Sequence, residues 1–160
     1  KNHAGLLEAF RLLLKSCPQC RLRLVGDGDL RADMEALARE KGIADAVEFC
    51  GMQSNVYPYL HDADIFALPS IYEGNPMTII EAMGTGLPIA ASRVGGIPDM
   101  IADGESGILV EPEPQSICEG LSRLVEDKSL RQRLGETARK QSQTFSAEHM
   151  ARDYISCYSK

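Results

Sequence analysis

The fold is decided by residues 65–92, which read IFALPSIYEGNPMTIIEAMGTGLPIAAS. The apolar run Ile65–Leu68 predicts a short buried strand, and the apolar spacing over Pro76–Thr85 predicts a helix. A second apolar run, Pro88–Ala91, predicts another strand. A strand, a helix and a strand joined by brief loops are typical of a parallel βαβ unit.

The same alternation extends in both directions from this unit. Five strands are predicted in all: Arg21–Val25, Ala46–Cys50, Ile65–Leu68, Pro88–Ala91 and Gly107–Val110. The helices predicted around them are Leu6–Lys15, Leu30–Lys41, Val56–His61, Pro76–Thr85 and Pro98–Ala102. This order predicts a Rossmann-like α/β fold, a doubly wound parallel sheet with helices on both faces. From Pro114 onward the pattern is helical, and this C-terminal tail is expected to pack against the sheet.

The composition is that of a soluble globular domain. Apolar residues make up 44% of the 160 and charged residues 25%, a balance far from that of disordered chains. The 17 basic and 23 acidic residues give a net charge of −6, so we expect no nucleic acid partner. No apolar run approaches the roughly 20 residues that cross a bilayer. Membrane association of the full-length protein stays open.

The cysteines are spread irregularly along the chain: Cys17, Cys20, Cys50, Cys118 and Cys157. Their odd number argues against a disulfide framework and predicts a reducing compartment, which we take to be the cytoplasm. Cys17 and Cys20 have the C-x-x-C spacing of redox and zinc sites. Because this pair ends a helix instead of opening one, and has no second ligand pair, a plain loop is the favoured interpretation. We expect no metal site.

A candidate anion site follows the strand Ile65–Leu68. In open α/β sheets, ligands bind outside the carboxyl ends of the strands. Pro76 is expected at the first helical position, which leaves the backbone amides of Met77 and Thr78 free for a phosphate. Gly74 has no side chain to keep a ligand away from the backbone.

Two carboxylates flank this anion site, Glu73 before the helix and Glu81 in its second turn. Carboxylates repel phosphates, so we expect their partners to be hydroxyl groups. A nucleoside diphosphate sugar, with phosphates in the middle and hydroxyl-bearing rings on both sides, fits this pattern. The spacing alone fits equally well with Glu73 as a turn residue and Glu81 as a surface residue of the helix.

The segment around these carboxylates resembles a known signature. Glu73 and Glu81 form an E-x7-E pair within PSIYEGNPMTIIEAMGTGLPI. This resembles the donor-binding signature of retaining GT-B glycosyltransferases of family 4, also called glycosyltransferases group 1. Further blocks resemble the family in the same order: Leu24–Gly28, Val47–Gly51, Val94–Asp99 and Gly107–Val110. The resemblance implies that residues 1–160 are one nucleotide-sugar-binding domain, the C-terminal half of a GT-B enzyme, without that domain's first strand and without the N-terminal acceptor domain.

The resemblance also implies roles for single residues. Lys1 corresponds to the lysine that neutralises the leaving diphosphate, and Glu73 to the carboxylate near the donor sugar, so these two are the expected catalytic residues. Glu81 corresponds to the glutamate that holds the ribose hydroxyls. The other donor contacts are expected at Gly74, Asn75, Pro76, Met77, Thr78, Gly26, Met52 and Gln53, the last two in the loop that faces the base.

The function implied by the resemblance is transfer of a hexose-type sugar from a nucleotide-diphosphate sugar to an acceptor, with retention of anomeric configuration. No metal and no cofactor beyond the donor is implied, and residues 1–160 alone are expected to be inactive. Two alternatives stay open: a nucleotide-sugar epimerase of the same architecture, and a non-catalytic nucleotide-sugar-binding module. A dinucleotide-binding enzyme is disfavoured, because Arg31 occupies the third glycine position of the motif that begins Gly26-Asp27-Gly28.

Overall fold

The computed structural model describes residues 1–158, apart from the side chains of residues 147, 150, 153, 154 and 156. The strands in this part of the chain are β1 (Leu22–Val25), β2 (Val47–Gly51), β3 (Phe66–Leu68), β4 (Ile89–Ser92) and β5 (Ile108–Val110). Each predicted strand is present, with its ends within one residue of the prediction. The agreement is close because each strand is a short segment, rich in apolar residues, between residues that favour turns.

The described residues also form α1 (His3–Leu13), α2 (Arg31–Glu40), α3 (Tyr57–His61), α4 (Met77–Thr85), α5 (Ile97–Met100), α6 (Pro114–Glu126), α7 (Lys128–Ser142) and α8 (Ala147–Tyr158). Two short 3-10 helices, Ala44–Ala46 and Gln143–Phe145, complete the set of elements. Over these same residues, every helix is too short or too polar to cross a membrane.

All strand pairs are parallel, as predicted, and they form two sheets. β1 pairs with β2, with Leu22 opposite Val47. β3, β4 and β5 lie side by side in that order, with Leu68 opposite Ala91 and Ala91 opposite Leu109. In the described part of the chain β1 and β3 are not hydrogen-bonded to each other, so each has an unpaired edge.

Two apolar cores lie on opposite faces of β4 and β5. The first contains Ala90, Ile108 and Val110 together with residues of α1 and α6. The second contains Ile89, Ala91 and Leu109 together with residues of α4 and α5. Successive residues of a strand point to opposite faces, so a strand that is apolar at every position has helices packed against both of its faces. The predicted doubly wound, Rossmann-like α/β fold is confirmed.

The helical tail packs back onto these cores, as predicted. α6 buries Leu121 and Leu124 in the core that it shares with α1, and α7 places Ala138 in the core around α4. The tail is divided at Asp127, where α7 begins and Asp127 Oδ1 accepts a hydrogen bond from Leu130 N (2.9 Å). Such a side-chain cap satisfies one of the free amides at a helix start.

Candidate functional site

A buried carboxylate and a lysine meet at the carboxyl end of β3. Glu73, in the loop after this strand, is only 9% exposed, and its Oε1 accepts hydrogen bonds from Lys1 Nζ (2.5 Å) and Ser70 Oγ (2.7 Å). Lys1 reaches this loop from the start of α1, and 53% of its side chain stays exposed. The structure therefore brings together the two residues that were expected to be catalytic.

Opposing influences set the charge of Glu73. Burial by itself raises the pKa of the Glu73 carboxyl, whereas the hydrogen bonds from Lys1 and Ser70 lower it. The lowering prevails, so the pKa of Glu73 lies below its ordinary value of 4.5 and the carboxylate is ionised at neutral pH. Ser70 is itself fully buried, and sequence reasoning missed it; its position three residues before Glu73, in the same loop, was the available signal.

The helix α4 begins directly after the same loop. Pro76 is its N-cap, with φ −71° and ψ 112°, so the prediction that it is the first helical residue is wrong. The pyrrolidine ring gives Pro76 a helical φ, but its extended ψ keeps it outside the helix. Within the described residues no side chain caps α4, and no acceptor is bonded to the amides of Met77 and Thr78. These exposed residues therefore present free donors and a partial positive charge.

Glu81 lies in the second turn of α4, four residues after Met77 and so on the same side of the helix. It is half-buried, and its carboxylate has no hydrogen-bond or ion-pair partner among residues 1–158. Glu73 is thus a paired carboxylate and Glu81 an unpaired one. The backbone between them, at Gly74 and Asn75, is exposed.

A pair of glycines in the loop between β4 and α5 supports the Glu73 loop from behind. Gly96 N donates to Gly74 O (3.0 Å). Gly95 has φ +53°, and a Cβ atom there would lie 1.7 Å from the backbone oxygen of Glu73. The two loops touch at backbone level, which only glycine allows. Sequence reasoning used this pair for the resemblance alone and gave it no role at the site.

The remaining predicted residues form a second group at the carboxyl ends of β1 and β2. Gly26 N donates to Gly51 O (2.8 Å), which places Gly26 beside the loop that starts at Met52. Met52 is 74% exposed, and Gln53 Nε2 donates to Cys50 O (2.7 Å). Over the described residues, no hydrogen bond or ion pair joins this group to Lys1 or Glu73.

Arg31, which sequence reasoning used only to reject a dinucleotide motif, holds this second group together. Its guanidinium donates to Asp27 Oδ2 (3.1 Å) and to Phe49 O (3.2 Å), and its Nε donates to Glu35 Oε1 (2.9 Å). The ends of β1 and β2 are therefore bridged by one side chain. A planar guanidinium suits this task because it offers several donors in a fixed geometry.

The cysteine pair lies away from both groups, in the turn between α1 and β1, as the loop interpretation predicted. Burial, and next the nearby Cys17, raise the pKa of the Cys20 thiol, the opposite of the shift that activates a redox cysteine. Among residues 1–158 no group of three or more His, Cys, Asp or Glu could hold a metal ion. Two shallow concavities of about 210 and 240 Å³ also lie elsewhere, at residues 21–23 with 45–48 and along α7.

The sequence profile of a family described as "Glycosyl transferases group 1" matches residues 1–141 of this chain. The chain belongs to that family. One similar protein is the N-acetyl-alpha-D-glucosaminyl L-malate synthase of Bacillus anthracis, 34% identical over 160 residues. The match covers 99% of this chain and 42% of that protein. The chain spans less than half the length of the curated relatives that it matches.

Solved structures of glycosyltransferases share the fold. The C-terminal domain of LpcC, a group 1 family protein from Francisella tularensis, is 26% identical with a TM-score of 0.79. That match covers 88% of this chain and 76% of the LpcC domain. Anabaena HepE in complex with UDP has a TM-score of 0.86 at 24% identity, and the match covers 96% of this chain and 44% of HepE. At that identity, the likeness to HepE shows the fold alone.

Proposed function

We propose that the full-length protein transfers a hexose-type sugar from a nucleotide-diphosphate sugar to an acceptor with retention of configuration, and that this chain binds the donor. The observation that carries the proposal is the meeting of Lys1, Glu73 and the uncapped α4 at one loop in a group 1 glycosyltransferase. A cation and two free amides suit a diphosphate. The Glu73 carboxylate beside them can accept a hydrogen bond from a sugar hydroxyl.

The proposed chemistry is mainly electrostatic. Negative charge grows on the leaving diphosphate as its bond to the sugar breaks, and preorganised donors stabilise such charge. Lys1 Nζ and the amides of Met77 and Thr78 are the donors in this proposal, so the positive charge comes from the chain itself. Glu73 accepts a hydrogen bond from a hydroxyl of the donor sugar and holds its ring in place.

The nucleoside end of the donor is assigned to the other predicted residues. Glu81, whose carboxylate is unpaired among residues 1–158, accepts the ribose hydroxyls. The base lies against the loop at Met52 and Gln53, where the Nε2 of Gln53 is already bonded to Cys50 and its Oε1 is left to accept. HepE, which has the same fold, binds UDP and UDP-glucose, so UDP is the first nucleotide to test.

Calorimetry on the full-length protein with UDP, GDP and ADP tests the proposal. We expect one of these to bind, and Lys1→Ala to weaken it at least about tenfold, because a charge-assisted contact is worth about 1.5–3 kcal/mol. Added salt weakens binding, and EDTA leaves it unchanged. Lys128→Ala is the matched control, since this exposed lysine of α7 has no ion pair in the described structure.

Three outcomes would contradict parts of this proposal. Failure of all three diphosphates to bind would exclude the donor site, and an absolute requirement for Mg²⁺ or Mn²⁺ would exclude the metal-free arrangement. Product analysis by NMR distinguishes the reactions. A transferred sugar with its anomeric configuration kept supports the proposal, whereas inversion, or release of an epimerised nucleotide sugar, contradicts it.

A further inference from the structure

Asn2 has a backbone conformation that no other non-glycine residue adopts within residues 1–158. Its φ is 63° and its ψ is 40°, in the left-handed region. Residues other than glycine rarely adopt this backbone region, and asparagine is among the few that tolerate it. Asn2 is the N-cap of α1, and its backbone oxygen accepts a hydrogen bond from Leu6 N (3.0 Å). A conformation with this cost persists only where surrounding contacts hold it.

The side chain of Asn2 does not cap α1, which is the usual use of asparagine at this position. Its Nδ2 instead donates to Pro69 O (3.0 Å) and to Pro112 O (2.8 Å). Pro69 follows β3 and begins the loop that contains Glu73, whereas Pro112 follows β5. One side-chain amide therefore fastens the start of α1 to the ends of two strands.

The Asn2 amide is also in close contact with α1 itself. A Cβ atom at Gly5 would lie 2.5 Å from Asn2 Oδ1, so the glycine at position 5 provides the space that this amide occupies. The amide is thus enclosed between the first turn of α1 and two backbone carbonyls. Both hydrogens of the amide are donated to the carbonyls of Pro69 and Pro112, so neither is bonded to α1.

Lys1 is the chain neighbour of this anchored residue. Its ammonium bonds Glu73, in the loop that Asn2 holds at Pro69, yet half of the Lys1 side chain is exposed. Within residues 1–158, the contact with Glu73 is the only hydrogen bond or ion pair that holds the Lys1 side chain. The φ angle of Asn2 sets how the preceding residue is oriented relative to α1, so the left-handed conformation of Asn2 directs the backbone of Lys1 toward this loop.

We propose that Asn2 is a positioning residue that holds Lys1 at the diphosphate site. The inference rests on the proposed function, in which Lys1 binds the diphosphate. When a diphosphate replaces Glu73 as the partner of Lys1, the ion pair no longer locates the lysine. The hydrogen bonds from Asn2 to Pro69 and Pro112 do not involve the ligand, and they keep the backbone of Lys1 where the diphosphate needs it.

A double-mutant cycle on the full-length protein tests this inference. Calorimetry measures the Kd of whichever diphosphate among UDP, GDP and ADP binds the wild type, for Asn2→Ala, Lys1→Ala and the double variant. In the wild-type background we expect Asn2→Ala to raise the Kd about fivefold, the effect of a lost hydrogen bond. In the Lys1→Ala background the same substitution should raise the Kd by less than about twofold. Asn2→Gly retains the left-handed backbone without the side-chain amide, so its Kd for the diphosphate should lie between the values of the wild type and of Asn2→Ala.

Gln141→Ala is the matched control for lost stability. Gln141 also donates a side-chain amide to a backbone carbonyl, Met100 O at 3.0 Å, but on α7 and outside the site. We expect it to lower the melting temperature without changing the Kd of the diphosphate. A structural role for Asn2 would weaken binding equally with and without Lys1, and that result overturns the inference while the proposed function stands. If Lys1→Ala alone leaves the Kd unchanged, the role of Lys1 in the proposed function fails, and this inference fails with it.

Discussion

Glu73 is a negative charge in a nearly closed environment, and its partners determine whether it can stay ionised. Removing a carboxylate from water is costly unless other groups replace the lost hydration. Lys1 supplies a positive charge and Ser70 a neutral hydroxyl, both on the same oxygen, Oε1. The second oxygen of Glu73 accepts no hydrogen bond within residues 1–158, and in the proposed function it is the atom that accepts from a ligand hydroxyl.

The lowered pKa of Glu73 predicts how the protein responds to acid. A carboxyl whose folded-state pKa lies below 4.5 stabilises the folded protein above that pH, and the contribution is lost as pH falls through the folded-state pKa. We therefore expect Glu73→Gln to lower the melting temperature at about pH 7, and the gap from wild type to narrow at about pH 3. Scanning calorimetry at both values checks this. An equal gap at both values would mean that the ionised form of Glu73 is not stabilised by its partners.

Glu81 offers a second test at the residue scale. Two charge-assisted hydrogen bonds to ribose hydroxyls are worth about 1.5–3 kcal/mol each, so Glu81→Ala should weaken nucleotide binding at least about tenfold. Because the Glu81 carboxylate has no partner among the described residues, its removal should leave the melting temperature nearly unchanged. Glu136→Ala, at an exposed position of α7, is the control. An unchanged Kd in the Glu81 variant would exclude the ribose contact.

At the scale of elements, the loop after β3 is shaped by the loop after β4. Gly95 and Gly96 touch the backbone of Glu73 and Gly74, so the position of the Glu73 carboxylate depends on a neighbour more than 20 residues away in sequence. Binding residues are often found on loops that a rigid scaffold holds in place. In this fold the paired strands β3 and β4 are that scaffold.

Gly95→Ala tests this contact. The added methyl group would lie 1.7 Å from the Glu73 carbonyl oxygen, so one loop must move. Gly104→Ala is the matched control, because Gly104 is also left-handed (φ +77°) but its Cβ would meet nothing within 4 Å. We expect Gly95→Ala to cost about 1–3 kcal/mol more folding stability than the control, and to weaken diphosphate binding. Equal effects of the two variants on stability and binding would show that the loops do not depend on each other.

The strands and helices could be predicted well because their signals are local. Each strand is a short segment rich in apolar residues, with one charged residue in β1 (Arg23) and one in β2 (Glu48). The placement of Lys1 and Glu73 at one site followed from matching separate motifs to one family. The support from Gly95 and the reach of Asn2 to Pro69 and Pro112 could not be predicted in this way. They are contacts with backbone groups far away in sequence, and no periodicity or composition records them. The prediction that Pro76 is the first helical residue is wrong for a local reason, because the proline ring fixes φ but leaves ψ free.

At the scale of the whole molecule, β1 and β3 end their sheets with unpaired edges, yet both strands pack against one core. Leu22 and Leu24 of β1 and Ala67 of β3 contact the same apolar cluster as α1 and α6. An unpaired edge leaves backbone donors and acceptors without partners. We propose that in the full-length protein one more parallel strand lies between β1 and β3 and joins the two sheets.

Hydrogen exchange can test this arrangement. We expect the backbone amides of β1 and β3 to exchange slowly in the full-length protein and much faster in a polypeptide of residues 1–160, which should also transfer no sugar. The amides of β4, which has a neighbour on each side, are the internal control. Equal protection of β1 and β3 in both polypeptides would mean that no such strand exists. Efficient transfer by residues 1–160 would contradict the need for a second domain.

The ion pair between Lys1 and Glu73 also has a consequence for selectivity among anions. Before any ligand arrives, Lys1 already has a carboxylate partner, so a simple anion such as orthophosphate competes with Glu73 for the ammonium group, and displacing Glu73 would leave a buried charge without its cation. In the proposed function, a nucleotide sugar exchanges both partners at once, because it offers Lys1 a phosphate and Glu73 a hydroxyl. Glu73 thus competes with free phosphate for Lys1, whereas the donor also supplies a new partner for Glu73. We therefore expect a cell's abundant orthophosphate to leave the site largely available to the donor.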